Sequence, residues 1–232
     1  MSYLILLALV LTIAFATLLL LHAVPKKSAP WLVFSVGYIL LVASLTGEIV
    51  LAFEFQDWAV RGFYLARNML AVAWLGQGYV LLNWPKIRYL NYATWGLIVV
   101  SLVSLVMTAS TQITRAEDWF SPSQTIYWQL GELLATNRPI RWGGLLLNLY
   151  GIAALVGGAG HAYLVGNKKE WVKAASPAFI IAGTLLLIFP IYWPPKEIAV
   201  LFLCGELFSP IFIFLGVSDV FNMNGKPRNT AK

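Results

Sequence analysis

The sequence predicts an all-α, polytopic membrane protein with seven transmembrane helices, and three observations support this fold class. First, 59% of the 232 residues are hydrophobic and only 11% are charged, whereas soluble domains are roughly 45–50% apolar and about 25% charged. Second, seven runs approach the length of about 20 apolar residues that a helix needs to cross a bilayer. Third, loops rich in Lys and Arg alternate along the chain with loops that hold fewer of them, and this pattern requires an odd number of spans.

The seven runs form one predicted transmembrane bundle over residues 1–222, followed by a tail over 223–232. The predicted helices cover about 3–24, 31–53, 59–82, 89–109, 142–166, 174–193 and 198–221. The first run lacks the basic n-region and the small-residue cleavage site of a signal peptide, so we expect it to be the first helix of the bundle. Only short loops remain outside the runs, which argues against an appended soluble catalytic domain.

Basic residues predict the orientation of the bundle. Ten of the 16 Lys and Arg residues fall in the tail and in the loops after helices one, three and five: Lys26, Lys27, Lys86, Arg88, Lys168, Lys169, Lys173, Lys226, Arg228 and Lys232. Because cytoplasmic loops carry the excess of Lys and Arg, we expect an external N-terminus and an internal C-terminus in the cell's inner or plasma membrane. The lipid bilayer is then the first partner, and bases confined to loops argue against nucleic-acid binding.

The loop between helices four and five is longer than a connector needs to be. Within it, Ser121, Pro122 and Gln124 form a helix-start signature of N-cap, N1 proline and N3 glutamine. Apolar residues then recur at helical spacing. We expect a short amphipathic helix over about 122–135 on the outer side, where it is either a surface anchor or a lid over the bundle.

Three ionisable residues stand out because they lie deep inside predicted spans: Glu48 in helix two, Arg67 in helix three and Glu206 in helix seven. Each is about six to eight residues from the outer end of its helix, which places all three ~9–12 Å below the outer surface. A charge within a span costs ~2.5–3.5 kcal/mol on insertion scales. Each of these residues therefore needs an oppositely charged partner or a functional role. Helices two and three are neighbours, which predicts a Glu48–Arg67 pair. Glu206 lacks an equally obvious base.

Three further side chains extend this cluster into a candidate ligand site. Tyr64 and Trp74 share a predicted inward stripe of helix three with Arg67, and Asn148 lies in the outer half of helix five. One interpretation is an outward-facing polar pocket for a small ligand or ion. The other is a buried ion pair that fixes helix register. No nucleophile elbow, metalloprotease motif or phosphate-binding loop is present, so we expect no enzymatic activity.

The two histidines offer a weaker alternative involving a cofactor. His22 and His161 fall at similar depth near the inner ends of helices one and five, the minimum arrangement for bis-histidine haem ligation. A histidine at such a position is more typical of a solvated interface residue. We therefore predict no cofactor and no metal, with haem or a pigment kept as the alternative. The single Cys204 suggests no disulfide.

Two stretches resemble a known group of membrane proteins. They are Arg61–Leu82, RGFYLARNMLAVAWLGQGYVLL, and Leu147–Leu164, LNLYGIAALVGGAGHAYL, and they look like segments of uncharacterised seven-helix membrane proteins of actinobacteria and chloroflexi. The resemblance implies a membrane bundle but transfers no functional residue. The layout is also similar to the seven-helix sensor regions of bacterial histidine kinases. With only a short tail after Phe221, we expect any signal to pass to a separate partner.

These observations leave several functional hypotheses open. The first is a non-enzymatic, sensor-like or small-ligand-binding bundle that uses Glu48, Arg67 and Glu206. The second is an accessory subunit of a larger membrane complex, with partner subunits packed against its aromatic and glycine-rich faces. A transporter built from two parallel three-helix repeats and a haem-binding protein are less favoured, because the two halves show no clear similarity and the histidines suit an interface.

Overall fold

The computed structural model describes residues 2–113, 138–165, 171–192 and 199–218, and within these ranges every regular element is a helix. Seven helices follow one another: α1 (Ser2–Ala23), α2 (Ala29–Phe53), α3 (the consecutive segments Asp57–Phe63, Tyr64–Leu70 and Ala71–Asn83), α4 (Arg88–Ser110), α5 (Arg138–Ile152, Ala153–Gly157 and Gly158–Val165), α6 (Trp171–Tyr192) and α7 (Ala199–Ser218). Over these ranges the predicted all-α class is confirmed, with seven helices, while a membrane crossing by all seven stays a prediction. The helix expected over 122–135 and the tail over 223–232 lie outside the described residues.

The exterior of the bundle is apolar. Within the described ranges, four helical stretches are long and apolar enough to cross a membrane: Tyr3–Ala23, Ala29–Phe53, Arg88–Ser110 and Ile140–Leu164. Helices α6 and α7 contain shorter apolar stretches, Ser176–Ile188 and Cys204–Val217. Trp95 on α4 is 67% exposed, whereas Arg67 is buried. Large apolar side chains outside and ionisable ones inside are the arrangement that lipid favours.

Six helices close into a ring, and the seventh packs on its outside. Helix α1 contacts α2 and α7, α2 contacts α3, α3 contacts α5, α5 contacts α6, and α6 contacts α7. Helix α4 lies against α3 and α5 without entering the ring. Helix α4 is therefore peripheral. Helix α7 closes the ring against α1, and the Tyr38 hydroxyl on α2 donates to the Pro210 carbonyl on α7 at 2.7 Å.

Glycines let neighbouring backbones approach closely at two helix pairs. Between α2 and α3, a Cβ atom added to Gly78 would lie 2.5 Å from the Cα atom of Phe34. Between α6 and α7, a Cβ atom added to Gly183 would lie 2.9 Å from the main-chain N atom of Ile213. Helix association in lipid depends on such close van der Waals packing rather than on a hydrophobic driving force. These contacts fix α2 against α3, and α6 against α7.

Two helices depart from regular α geometry where π-helical segments interrupt them. These segments are Tyr64–Leu70 in α3 and Ala153–Gly157 in α5. At the end of the first, the Ala71 N–H donates to the Ala66 carbonyl, five residues back. Segments of this kind are rare and occur frequently at functional sites. The π segment of α3 contains Arg67, so the irregular backbone coincides with the buried cation.

Candidate functional site

Glu48, Arg67 and Glu206 meet in the interior of the bundle. They come from α2, α3 and α7, and their exposed fractions are 4%, 1% and 1%. Nη2 of Arg67 lies 3.7 Å from Oε1 of Glu206. Arg67 is also among the largest fully buried side chains of the chain. The structure thus brings together the three ionisable residues that helix depth had grouped.

The ion pair joins different partners from those expected. Arg67 pairs with Glu206 rather than with Glu48, and the Glu48 carboxyl lies next to the Glu206 carboxyl, within electrostatic range of Arg67. The prediction of a Glu48–Arg67 pair rested on α2 and α3 being neighbours. The prediction was wrong because the contact between two helices fixes the distance between their backbones. It does not fix the direction in which a side chain of a π segment leaves its backbone.

Acidic groups outnumber basic ones in the part of the cluster that the structure describes. Two carboxyl groups face one guanidinium group, and an uncompensated charge is costly in a buried place. The carboxyl groups of Glu48 and Glu206 also lie close enough to interact, and two carboxylates repel each other. A proton or a ligand with positive charge would relieve this repulsion.

Three buried oxygens of this region have no hydrogen-bond partner among the described residues. They are Oε2 of Glu48, Oδ1 of Asn68 and Oγ of Ser209, and Ser209 is fully buried. Ser209 follows Glu206 by three residues, so both side chains lie on the same face of α7. Native structures rarely leave buried polar atoms unsatisfied, and each exception needs an explanation. These oxygens are available to a bound group.

The backbone near Glu206 is also irregular. Pro210 lies inside α7, and a proline has no N–H to donate to the carbonyl four residues earlier. That carbonyl belongs to Glu206. On the opposite side of the cluster, Nδ2 of Asn148 donates to the main-chain carbonyl of Asn68 at 2.8 Å. Asn148 thus satisfies a carbonyl within the π segment, directly after Arg67.

The remaining residues of the predicted ligand site lie elsewhere on α3. Nε1 of Trp74 donates to Oγ of Ser101 on α4 at 3.1 Å. Tyr64 packs in the same apolar cluster as Trp74. Both aromatic residues therefore join α3 to the peripheral helix α4. Of the three added side chains, only Asn148 reaches the backbone that carries Arg67.

Sequence reasoning missed a second polar contact, centred on Gln77. This side chain is fully buried, and its Nε2 donates to the Leu90 carbonyl and to Oγ1 of Thr94, each at 2.7 Å. The Tyr150 hydroxyl donates to Oε1 of Gln77. The contact links α3, α4 and α5. The amide inside the apolar run over 59–82 is the signal that could have identified it, since polar side chains bridge helices in lipid.

Arg61 has a structural role that the sequence also did not reveal. Its Nη1 atom donates to the carbonyls of Thr108, Ala109 and Thr111 at 2.7, 2.8 and 2.6 Å. The last carbonyls of a helix have no partner within the helix and carry partial negative charge. Arg61 of α3 therefore caps the C-terminal end of α4.

The two histidines each contact a different tryptophan. The rings of His22 and Trp31 are 5.1 Å apart between centroids, and those of His161 and Trp84 are 5.0 Å apart. Nζ of Lys26 lies 3.2 Å from Nε2 of His22. Within the described ranges, no three His, Cys, Asp or Glu residues form a group that could hold a metal ion. Haem ligation by His22 and His161 stays a prediction.

Comparison with known proteins adds no relative to this description. No protein family, curated protein or solved structure matches the chain. The functional argument therefore depends on the geometry of the site.

Proposed function

We propose that the chain is a bacterial multi-pass membrane protein with seven spanning helices, an external N-terminus and an internal C-terminus. The four long apolar helices and the excess of Lys and Arg in alternate loops support this arrangement. In that frame, the end of the bundle that carries residues 54–56 is external. The cluster of Glu48, Arg67 and Glu206 then lies in the outer half of the membrane.

We further propose a non-enzymatic, sensor-like function, in which this cluster binds a small polar ligand. The observation that carries the proposal is the unpartnered Oε2 atom of Glu48, buried beside a second carboxyl group and an arginine. Ion pairs that serve only to hold helices together are satisfied by their own partners. Here an acceptor remains for a ligand that donates a hydrogen bond or carries positive charge.

The position of the cluster gives a ligand a route to a conformational change. Glu206 lies one helical turn before Pro210, where the hydrogen-bond ladder of α7 is interrupted. The carbonyl of Pro210 accepts the hydrogen bond from Tyr38 that joins α7 to α2. A ligand that engages Glu48 and Glu206 acts on the same two helices. Binding therefore shifts the population between two relative positions of α2 and α7.

The experiment compares Glu48→Gln with Glu54→Gln in purified, full-length protein. Both substitutions remove one carboxylate from the α2 region, but Glu48 is buried and Glu54 is exposed. Thermal unfolding is measured across a set of polar metabolites and amines. A ligand at 100 times its Kd stabilises the folded state by about 2.7 kcal/mol. We expect the wild type and E54Q to respond to the same compound and E48Q not to respond; an equal response of all three would contradict the proposal.

A second candidate function follows from the exposure of α4. Only 17% of the residues in its most apolar stretch are buried within the bundle. Its outward face carries aromatic residues, Tyr92 and Trp95 among them. An accessory subunit that packs laterally against partner subunits would present such a face. Purification from native membranes in mild detergent tests this alternative. Partners at fixed stoichiometry would support it, whereas a monodisperse monomer would count against it.

A further inference from the structure

We propose that His22, Lys26 and Lys27 form a binding site for the phosphate group of an anionic phospholipid, at the turn between α1 and α2. Glu48 lies near the other end of α2, roughly 29 Å away along the helix axis. The inference therefore goes beyond the proposed ligand site and does not depend on it. It starts from an unusual backbone conformation at Lys27.

Lys27 occupies a backbone position that glycine normally takes. Its φ angle is 47°, and among the described residues it is the only non-glycine residue with a positive φ. The Lys27 N–H donates to the Val24 carbonyl and the Ser28 N–H donates to the Ala23 carbonyl, each at 3.1 Å. These two bonds are those of a Schellman motif, whose left-handed residue is usually glycine because a Cβ atom is strained there. Strain of this kind is concentrated at functional sites, which points to a role for the lysine side chain.

A histidine orients the neighbouring lysine. Nζ of Lys26 lies 3.2 Å from Nε2 of His22, and an ammonium group only donates hydrogen bonds, so Nε2 is the acceptor. The His22 ring packs edge-on against the buried Trp31 of α2, with ring centroids 5.1 Å apart. These contacts hold the Lys26 ammonium group beside the turn. Two of its three N–H groups remain for a further acceptor.

The charge of this turn suits an anion. Lys26 and Lys27 are both exposed, and within the described ranges neither of them pairs with a carboxylate. Each Lys near a membrane surface strengthens binding to anionic lipid about fivefold. Two consecutive ammonium groups, one of them held in place by His22, therefore form a site for a phosphate group.

The apolar surface next to the lysines favours a phospholipid over a soluble phosphate. Leu18 precedes His22 by four residues, so the two side chains share one face of α1. Leu18, Leu21 and Val24 are 50%, 66% and 60% exposed. A ligand with a phosphate group and acyl chains matches the basic turn and this apolar face together. In the proposed orientation the turn lies at the cytoplasmic leaflet, which carries the anionic lipids.

The test measures thermal unfolding of the purified full chain in nanodiscs of phosphatidylcholine, with or without phosphatidylglycerol, at constant ionic strength. We expect the wild type to have a higher Tm in the anionic nanodiscs. Lys26→Gln removes the oriented ammonium group and should abolish most of this gain. Lys86→Gln is the matched control, because Lys86 is an exposed residue of the turn between α3 and α4, at the same end of the bundle. K86Q should keep the gain.

Lys27→Gly gives a sharper result, because its effect on Tm should depend on the lipid. Glycine relieves the left-handed backbone, so in neutral nanodiscs K27G should exceed the wild type by about 2–4 °C in Tm. The variant also lacks one ammonium group, so its gain from phosphatidylglycerol should be well below that of the wild type. A lysine with only a structural role would shift Tm by the same amount in both lipids.

The outcomes decide on the site and on the source of the phosphate group. No gain in the wild type, or equal gains in the wild type, K26Q and K27G, would overturn the proposal. A loss in K86Q as large as that in K26Q would also overturn it, because the attraction would then be spread over all basic loops. Inorganic phosphate in neutral nanodiscs should not reproduce the gain; if it does, the ligand is a soluble anion and the phospholipid site is refuted. The metabolite response that tests Glu48 should be unchanged in K26Q, so the failure of one proposal leaves the other standing.

Discussion

The substitution Arg67→Met tests whether the central guanidinium holds the acidic cluster together. Methionine fills much of the same space in the bundle but leaves Glu48 and Glu206 without a cation. Removing one partner of a buried ion pair destabilises proteins by about 3–5 kcal/mol, because the other charge stays buried and uncompensated. For a chain of this size, that free energy corresponds to a fall in Tm of roughly 6–20 °C. The exposed Arg88 provides the control, and Arg88→Met should leave Tm nearly unchanged.

A double-mutant cycle then separates the ion pair from general damage to the core. Glu206→Gln alone leaves Glu48 within electrostatic range of Arg67, so its cost should be smaller than that of Arg67→Met. Because R67M and E206Q share one ion pair, the double variant should lose less stability than the sum of the two, by about 0.5–3 kcal/mol. Thermal and denaturant unfolding in detergent measure both quantities. Strict additivity, or an R67M protein as stable as R88M, would refute this reasoning.

Two further predictions concern packing and capping. Gly78→Ala places a methyl group 2.5 Å from Cα of Phe34, so we expect a loss of about 1–3 kcal/mol in unfolding free energy. Gly96→Ala, which meets nothing within 4 Å, should be neutral or stabilising, and similar Tm values for the two variants would contradict the packing argument. Arg61→Gln removes a charged donor from three carbonyls at the end of α4 and should cost about 1.5–3 kcal/mol. Hydrogen exchange should rise at the end of α4 in R61Q but not in R141Q, an exposed-site control.

The helices and the composition of the charged cluster could be predicted because both depend on local information. A span is recognised from its own apolar length, and the depth of Glu48, Arg67 and Glu206 follows from the rise of 1.5 Å per residue. Depth alone grouped the three residues. The identity of the ion pair could not be predicted in this way, because it depends on the rotation of each helix about its axis.

The features that the sequence did not reveal share that physical origin. The apolar run of α4 looks like those of the other helices, and in lipid an apolar helix gains little by entering the ring, so its sequence does not reveal its peripheral place. Trp74 was assigned to the ligand site on helical spacing, but it contacts Ser101 of α4. The π segment over Tyr64–Leu70 shifts the faces of α3 relative to a regular helix. Spacing rules for a regular helix therefore misplace residues on either side of it.

The glycine contacts have a mechanical consequence for the bundle. Where backbones touch, as at Gly78 between α2 and α3 and at Gly183 between α6 and α7, no flexible side chain is available to absorb a displacement. Each pair then moves as one rigid body. Arg67 and Glu48 belong to the first body and Glu206 to the second, so the ion pair bridges the seam between them. Breaking this ion pair would separate the two helix pairs while leaving the packing inside each pair intact.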